Sequence, residues 1–266
     1  GLMGQVTDLA ATAHCCEFND LDGVKAALET GEVAAILTEP VMTNSCMVLP
    51  EPGFHDGLRA LADQYGALLI IDETHTISSG LGGYSAVNGL RPDIFVVGKC
   101  VAGGLPTAVW GLSAAVAERY VAANASRASG HSGMGTTLSA NPLQFVCLRA
   151  TLSEVMTPDN YAHMEAGAAR LAAGLADAIA KHAAPWHVVR VGARVEFICH
   201  PVPLRNGTEA AQAHHPDLEA AVHAALLNRG CLIAPFHNMM LVSPVTTDAQ
   251  IDRLIQAFDD TLALLF

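Results

Sequence analysis

The stretch GALLIIDETHTISSGLGGYSAVNGLRPDIFVVGKCVAGGLP, from Gly66 to Pro106, decides how this chain is read. It opens on an apolar run, Ala67 to Ile71, that ends on Asp72-Glu73-Thr74. Short apolar runs bounded by polar residues read as buried strands. The polar, glycine-rich segment from His75 to Asn88 reads as a loop. A second apolar run, Asp93 to Gly98, then delivers Lys99, and Gly103-Gly104-Leu105-Pro106 turns the chain. An acid and a lysine, each just past the carboxyl end of a strand, occupy the edge where open α/β sheets gather their ligands.

Working outward, Asn19-Asp20 caps a short helix, Leu21 to Leu28, which Gly31 ends. Val33 to Leu37 predicts a strand. Phe54, Leu58, Leu61, Ala62 and Tyr65 share one face of a helix that starts near Gly53 and stops at Gly66. Downstream, Thr107 to Leu112 predicts a strand, Ser113 caps a helix through Tyr120, and residues 123–137 read as a loop. Helical patterns follow from Pro142 to about Val155 and from about Asp159 to His182. Short β-like segments are predicted at His187–Val191, Arg194–His200, Cys231–Ile233 and Met239–Val242, with helices at Pro216–Asn228 and Asp248–Leu265. Asn206-Gly207-Thr208 matches the glycosylation triplet but reads as a turn. The alternation predicts an α/β fold with a mostly parallel sheet over residues 1–155. An α+β domain follows over residues 156–266.

Composition narrows the function. The apolar share is 51%, the charged share 15%, and the mean hydropathy +0.33, which implies faces covered by another subunit or by further polypeptide. A net charge of −12 with 14 scattered basic residues argues against nucleic acid, whose phosphates require clustered cations. The uncharged run from Cys100 to Ala117 is broken by Gly103, Gly104, Pro106, Gly111 and Ser113, so it predicts turn, strand and helix start, not a membrane span. Seven cysteines without a CxxC pattern point to reduced thiols in a cytoplasmic protein. Twelve histidines without ligand spacing give no metal site.

Asp72 alone is a weak signal, because acids at strand ends serve as metal ligands, ribose contacts or caps. Lys99 says more. A lysine directly after an apolar strand is either a structural lysine with its head in water or a buried amine of lowered pKa suited to Schiff-base chemistry. Lys99 lacks the P-loop glycine spacing, and Cys100 stands where Ser or Thr is needed.

The ordered series Glu39-Pro40-Val41, Asn44, Pro52-Gly53-Phe54, Tyr65-Gly66, Asp72-Glu73, Gly83, Pro92-Asp93, Gly98-Lys99 and Gly103-Gly104-Leu105-Pro106 resembles the class III aminotransferases. These are pyridoxal 5'-phosphate (PLP) enzymes of fold type I, among them ω-amino acid aminotransferases and glutamate-1-semialdehyde aminomutase. Gly135 to Leu143 resembles the segment after the family's lysine strand. The resemblance implies a homodimer in which Lys99 forms the Schiff base and moves protons, while Asp72 pairs with the ring nitrogen. It also implies that Asn44 reaches the 3-hydroxyl oxygen and that Thr137 contacts the phosphate across the dimer interface. Glu39 and Thr74 belong to the implied cofactor-binding set. Asn44 also reads as a turn residue and Thr137 as a helix cap.

Thr74 stands where the family usually has a valine against the ring, and the loop after it lacks the arginine common there. His75 reads as a loop histidine without a role, with a place facing the cleft as the alternative. Arg194 is the candidate clamp for a substrate carboxylate, with a structural ion pair to Glu196 or another residue as its rival. The family's phosphate loop and stacking aromatic lie in a segment of well over a hundred residues (an approximate family length) upstream of the match, so a missing N-terminal segment is expected. The implied activity is transfer of an amino group between an amino acid or amine and an oxo acid. The alternatives are a glutamate-1-semialdehyde-type aminomutase and a catalytically silent, dimerising scaffold.

Overall fold

The computed structural model describes residues 8–44, 46–128, 130, 134–135, 137–234 and 237–266. In chain order the first elements are α1 (Leu21–Leu28), β1 (Ala35–Thr38), α2 (Phe54–Tyr65), β2 (Leu68–Asp72), α3 (Gly83–Asn88), β3 (Ile94–Val97), β4 (Val109–Leu112) and α4 (Ala114–Ala125). They are followed by α5 (Pro142–Ala150), α6 (Pro158–Lys181), β5 (His187–Val191), β6 (Arg194–Ile198), α7 (Gly207–Gln212), α8 (Pro216–Asn228), β7 (Met239–Leu241) and α9 (Asp248–Leu265).

The first sheet has the order β1-β2-β3-β4, with β1, β2 and β3 parallel and β4 antiparallel at the edge. Its register decides the chemistry. Thr38 lies beside Ile71 and Asp72 beside Val96, so the residues leaving three adjacent strands, Glu39, Asp72 and Lys99, emerge at one pole. Arg59 on α2 braces the opposite part of the sheet. It bonds Asp63 (2.6 Å) and Asp93 (2.8 Å), and Asp93 in turn accepts from the Leu69 amide (2.8 Å).

The segment expected as a plain loop after β2 is ordered around a buried acid. Glu73, fully buried, accepts from the Thr76 hydroxyl and from the amides of Tyr84 and Ser85, at 2.5, 3.1 and 2.5 Å. Those amides belong to the first turn of α3, where four N–H groups lack helical partners. A carboxylate there meets both the unpaired donors and the positive end of the helix. Gly83 has φ +76°, and a Cβ on it would stand 2.7 Å from Glu73 Oε2, so no other residue fits without displacement.

The second sheet, β5-β6-β7, is antiparallel. The β5–β6 turn presses on the Glu73 segment: a Cβ on Gly192 would lie 2.3 Å from Ser79 Cα, and the Ala193 amide donates to Ser78 O at 3.2 Å. Tyr161 on α6 donates to Ile77 O (2.8 Å). Trp186, Phe197 and Phe258 form an aromatic core between this sheet and helices α6, α8 and α9. A further core joins Val41 and Val48 to Val189, Val191 and Ile198, so the parallel-sheet half and the C-terminal half are packed together.

Helices α8 and α9 have the boundaries their patterns predict. Three expectations are corrected. Cys231–Ile233 is not a strand, because its backbone is already engaged: the Cys231 amide donates to Leu226 O (2.9 Å), and Ile233 O meets His223 Nε2 (3.1 Å). Asn206 does not sit in a simple turn but caps α7, accepting from the Glu209 amide at 2.9 Å. The helix starting at Pro142 passes into a wider π turn at Thr151–Val155. Among the described residues no helix is long and apolar enough to cross a membrane.

Candidate active site

Lys99 stands just beyond β3 with its side chain exposed at the sheet pole. Its φ of +54° lies in the left-handed region, which costs a residue with a Cβ about 1–2 kcal/mol. Strain of this kind at a strand end is a mark of functional sites. Asp72, half-buried, accepts from the Thr74 amide at 2.8 Å through Oδ1. That bond sets the bend by which the chain leaves β2. Thr74 Cγ2 faces Gly98, 3.8 Å from where a Cβ would be, so its methyl lines the floor between the two strand ends.

Glu39, expected in the cofactor-binding set, belongs to the same cluster. Asn44 Nδ2 donates to Glu39 Oε1 (3.1 Å), and the buried Thr43 hydroxyl bonds Glu39 Oε2. Burial raises the Glu39 carboxyl, and the neighbouring Asp72 adds to the rise. His75, expected as a loop histidine without a role, is placed otherwise: Nδ1 lies 2.5 Å from Thr43 Oγ1 and Nε2 meets Lys99 Nζ. Burial, then the cations Arg194 and Lys99, push the imidazole down to about 4, so the ring is neutral at physiological pH. Sequence reasoning missed Thr43 and the placement of His75. The only available signal was the nearness of His75 to Asp72 along the chain.

Arg194 does reach this pole. It is buried, and Nε donates to His75 O (2.8 Å) and Ser78 Oγ (2.9 Å), while Nη1 lies 3.9 Å from Met239 Sδ. The expected rival, an ion pair with Glu196, is absent among the described residues; Glu196 instead accepts from the Met47 amide at 2.5 Å. Among the described residues no hydrogen bond ties Thr137 to the cluster, and Thr137 is exposed.

Glu196 lines a neighbouring cavity of about 410 Å³ with Asn44, Cys46, Cys199, His214 and Glu219. Burial raises its carboxyl to about 7. An unfolded glutamate titrates near 4.3, so between these values the folded chain holds a proton that the unfolded chain has lost, and stability falls as pH rises, by ~3 kcal/mol over the interval. Glu196→Gln keeps an acceptor for Met47 and is expected to flatten urea stability between about pH 4 and 7. A variant with the parent's slope would show that another group titrates.

A strained lysine and a carboxylate leave adjacent parallel strands at one pole, an arrangement suited to carbonyl–amine chemistry; the model of the class-III aminotransferases matches residues 4–262, and the chain belongs to that family. It is 36% identical over 253 residues to glutamate-1-semialdehyde 2,1-aminomutase 2 of Brevibacillus brevis, covering 92% of this chain and 57% of that protein. The crystal structure of a glutamate-1-semialdehyde aminomutase from Pseudomonas aeruginosa PAO1 superposes with a TM-score of 0.96 at 48% identity, over 100% of this chain and 60% of that one. A second structure described in the same terms, in complex with PMP, gives 0.93 at 49%, over 97% and 58%. A β-phenylalanine aminotransferase from Variovorax paradoxus gives 0.79 at 26%, over 92% and 56%. The chain thus spans under two thirds of the length of these relatives. The fold is that of the PLP-dependent aminotransferases of fold type I, as expected.

Proposed function

We propose that this chain carries the lysine-bearing part of a PLP-dependent enzyme that moves an amino group between an amino acid or amine and an oxo acid. The observation that carries the reading is the emergence of Asp72 and strained Lys99 at the same pole of the sheet, from the adjacent parallel strands β2 and β3. The donor set fits the cofactor: a primary amine for its aldehyde, a carboxylate for its ring nitrogen, a methyl from Thr74 for its face, and the Asn44 amide within the same cluster. PLP supplies an aldehyde and a ring that takes up the electron pair left when a Cα–H bond breaks. The protein does the rest. Lys99 Nζ, as the free amine, would take the Cα proton and return it at C4′ of the cofactor. Asp72, its direction set by the Thr74 amide, keeps a ring nitrogen protonated. The Arg194 guanidinium, anchored through Nε, holds a substrate carboxylate.

In this reading Thr137 acts on the phosphate from a second copy of the chain, which also covers exposed Leu138, Leu143, Phe145 and Val146. The division into a cofactor-binding part, residues 1–155, and a C-terminal part, residues 156–266, belongs to the same reading. The seven unpaired cysteines support a reducing, cytoplasmic setting.

A second reading, the aminomutase, is favoured by the relatives: the structures near 48% identity bear that name, while the named transaminase structures lie at 26% or below. The two differ in one requirement. An aminotransferase needs an external oxo acid for sustained turnover, whereas a mutase turns over glutamate-1-semialdehyde without one. Steady-state assays with and without added oxo acids decide between them. Turnover of neither substrate class, with no borohydride-trapped PLP on Lys99, would leave the silent scaffold.

A further inference from the structure

Glu39 and Thr43 follow β1, His75 follows β2 and Lys99 follows β3, yet their polar atoms form one unbroken line: Glu39 Oε2, Thr43 Oγ1, His75 Nδ1 and Nε2, Lys99 Nζ. Donor counting gives the line a direction. A carboxylate only accepts, so the Thr43 hydroxyl donates to Glu39. The Thr43 oxygen then has lone pairs alone to offer, and His75 Nδ1 must carry the ring hydrogen. A neutral ring protonated at Nδ1 has a bare Nε2, and an ammonium has only donors to give it. With Glu39 ionised and Lys99 an ammonium, one protonation pattern satisfies every bond. It matches the arrangement by which nucleophiles are commonly activated, a base oriented by a further group behind it.

We propose that His75, Thr43 and Glu39 form a proton relay for Lys99, in which His75 touches the reacting amine and Thr43 and Glu39 are positioning residues. The inference rests on the reading of Lys99 as that amine. A proton leaving Nζ bonds to His75 Nε2, the Nδ1 proton passes to Thr43 Oγ1, and the original hydroxyl proton passes to Glu39 Oε2. Lys99 keeps its electron pair and becomes a free amine, Glu39 ends as the neutral acid, and the ring ends neutral with its hydrogen on Nε2. Nothing is oxidised or reduced. Both ends suit the task. Burial, then Arg194, Lys99 and His237, keep a lasting positive charge off the ring against the opposing pull of Asp72, and burial makes Glu39 a ready proton acceptor. Asn44 holds the other Glu39 oxygen in place.

The tautomer is readable without any cofactor. In the full chain labelled with ¹⁵N-histidine, two-bond ¹H–¹⁵N spectra are expected to show His75 as the Nδ1–H form at pH 7, with His75→Asn assigning the signal. Thr43→Val, close to isosteric, is expected to lose that preference, and Thr43→Ser to restore it. In a second arm, adduct formation between Lys99 and added PLP, followed by absorbance, should slow about a hundredfold in Thr43→Val and recover in Thr43→Ser. An Nε2–H ring in the parent chain, or a Thr43→Val rate within about twofold of the parent, would overturn the relay. A parent chain with the Nδ1–H ring and no adduct at all would overturn the reading of Lys99, and the relay with it, leaving the bond pattern as structure only.

Discussion

Lys99→Ala is expected to abolish the borohydride-trapped PLP adduct and to lower amino-group transfer by ~10⁴-fold or more, because one side chain serves as both attachment point and base. Stability should hardly move. The side chain is exposed, and alanine keeps the same left-handed backbone, so the urea midpoint should correspond to a change within ~0.5 kcal/mol. Lys99→Gly separates the two properties further: glycine relieves the φ of +54°, and the variant should be as stable as the parent or more so while equally inactive. A Lys99→Ala protein that still traps PLP at another lysine, with turnover intact, would remove Lys99 from the chemistry. The strain at this residue is the local price of aiming an amine at the sheet pole.

Glu73→Ala is expected to be the most destabilising single change near the site. The carboxylate is fully buried and accepts from Thr76 Oγ1 and from two amides of the first turn of α3. Truncation leaves those donors without an acceptor, at about 1–3 kcal/mol for each buried one, so a loss of ~3–5 kcal/mol is expected. Urea unfolding followed by circular dichroism measures it. A loss below ~1 kcal/mol would mean that the segment does not depend on Glu73. The same variant should weaken adduct formation on Lys99, since the segment that Glu73 holds carries His75 and meets Arg194 through His75 O and Ser78 Oγ.

These two residues also show where reading the sequence succeeds and where it stops. Lys99 and Asp72 were legible because an apolar run, its length and the polar residues that end it are local properties of the chain. Helices α8 and α9 were legible for the same reason, through caps and 3.6-residue periodicity. Glu73, by contrast, looks like any acid at a strand end. Its partners Tyr84 and Ser85 lie across a turn that Gly83 alone permits. The segment Cys231–Ile233 has a strand's composition, but the carbonyl of Leu226 and the ring of His223 claim its backbone first.

What the sequence by itself determined is most of the strands and longer helices, the family, and an acid–lysine pair at two strand ends, because each is written in neighbouring residues or in their order. What only the tertiary structure decided is which side chains meet there. Parallel register set Glu39 beside Asp72, and the β5–β6 turn seated on Ser79 carried Arg194 toward His75. Thr43 came to lie between Glu39 and His75, and His75 against Lys99. Such meetings join residues far apart along the chain; they follow from packing, which leaves no periodic mark in any one segment.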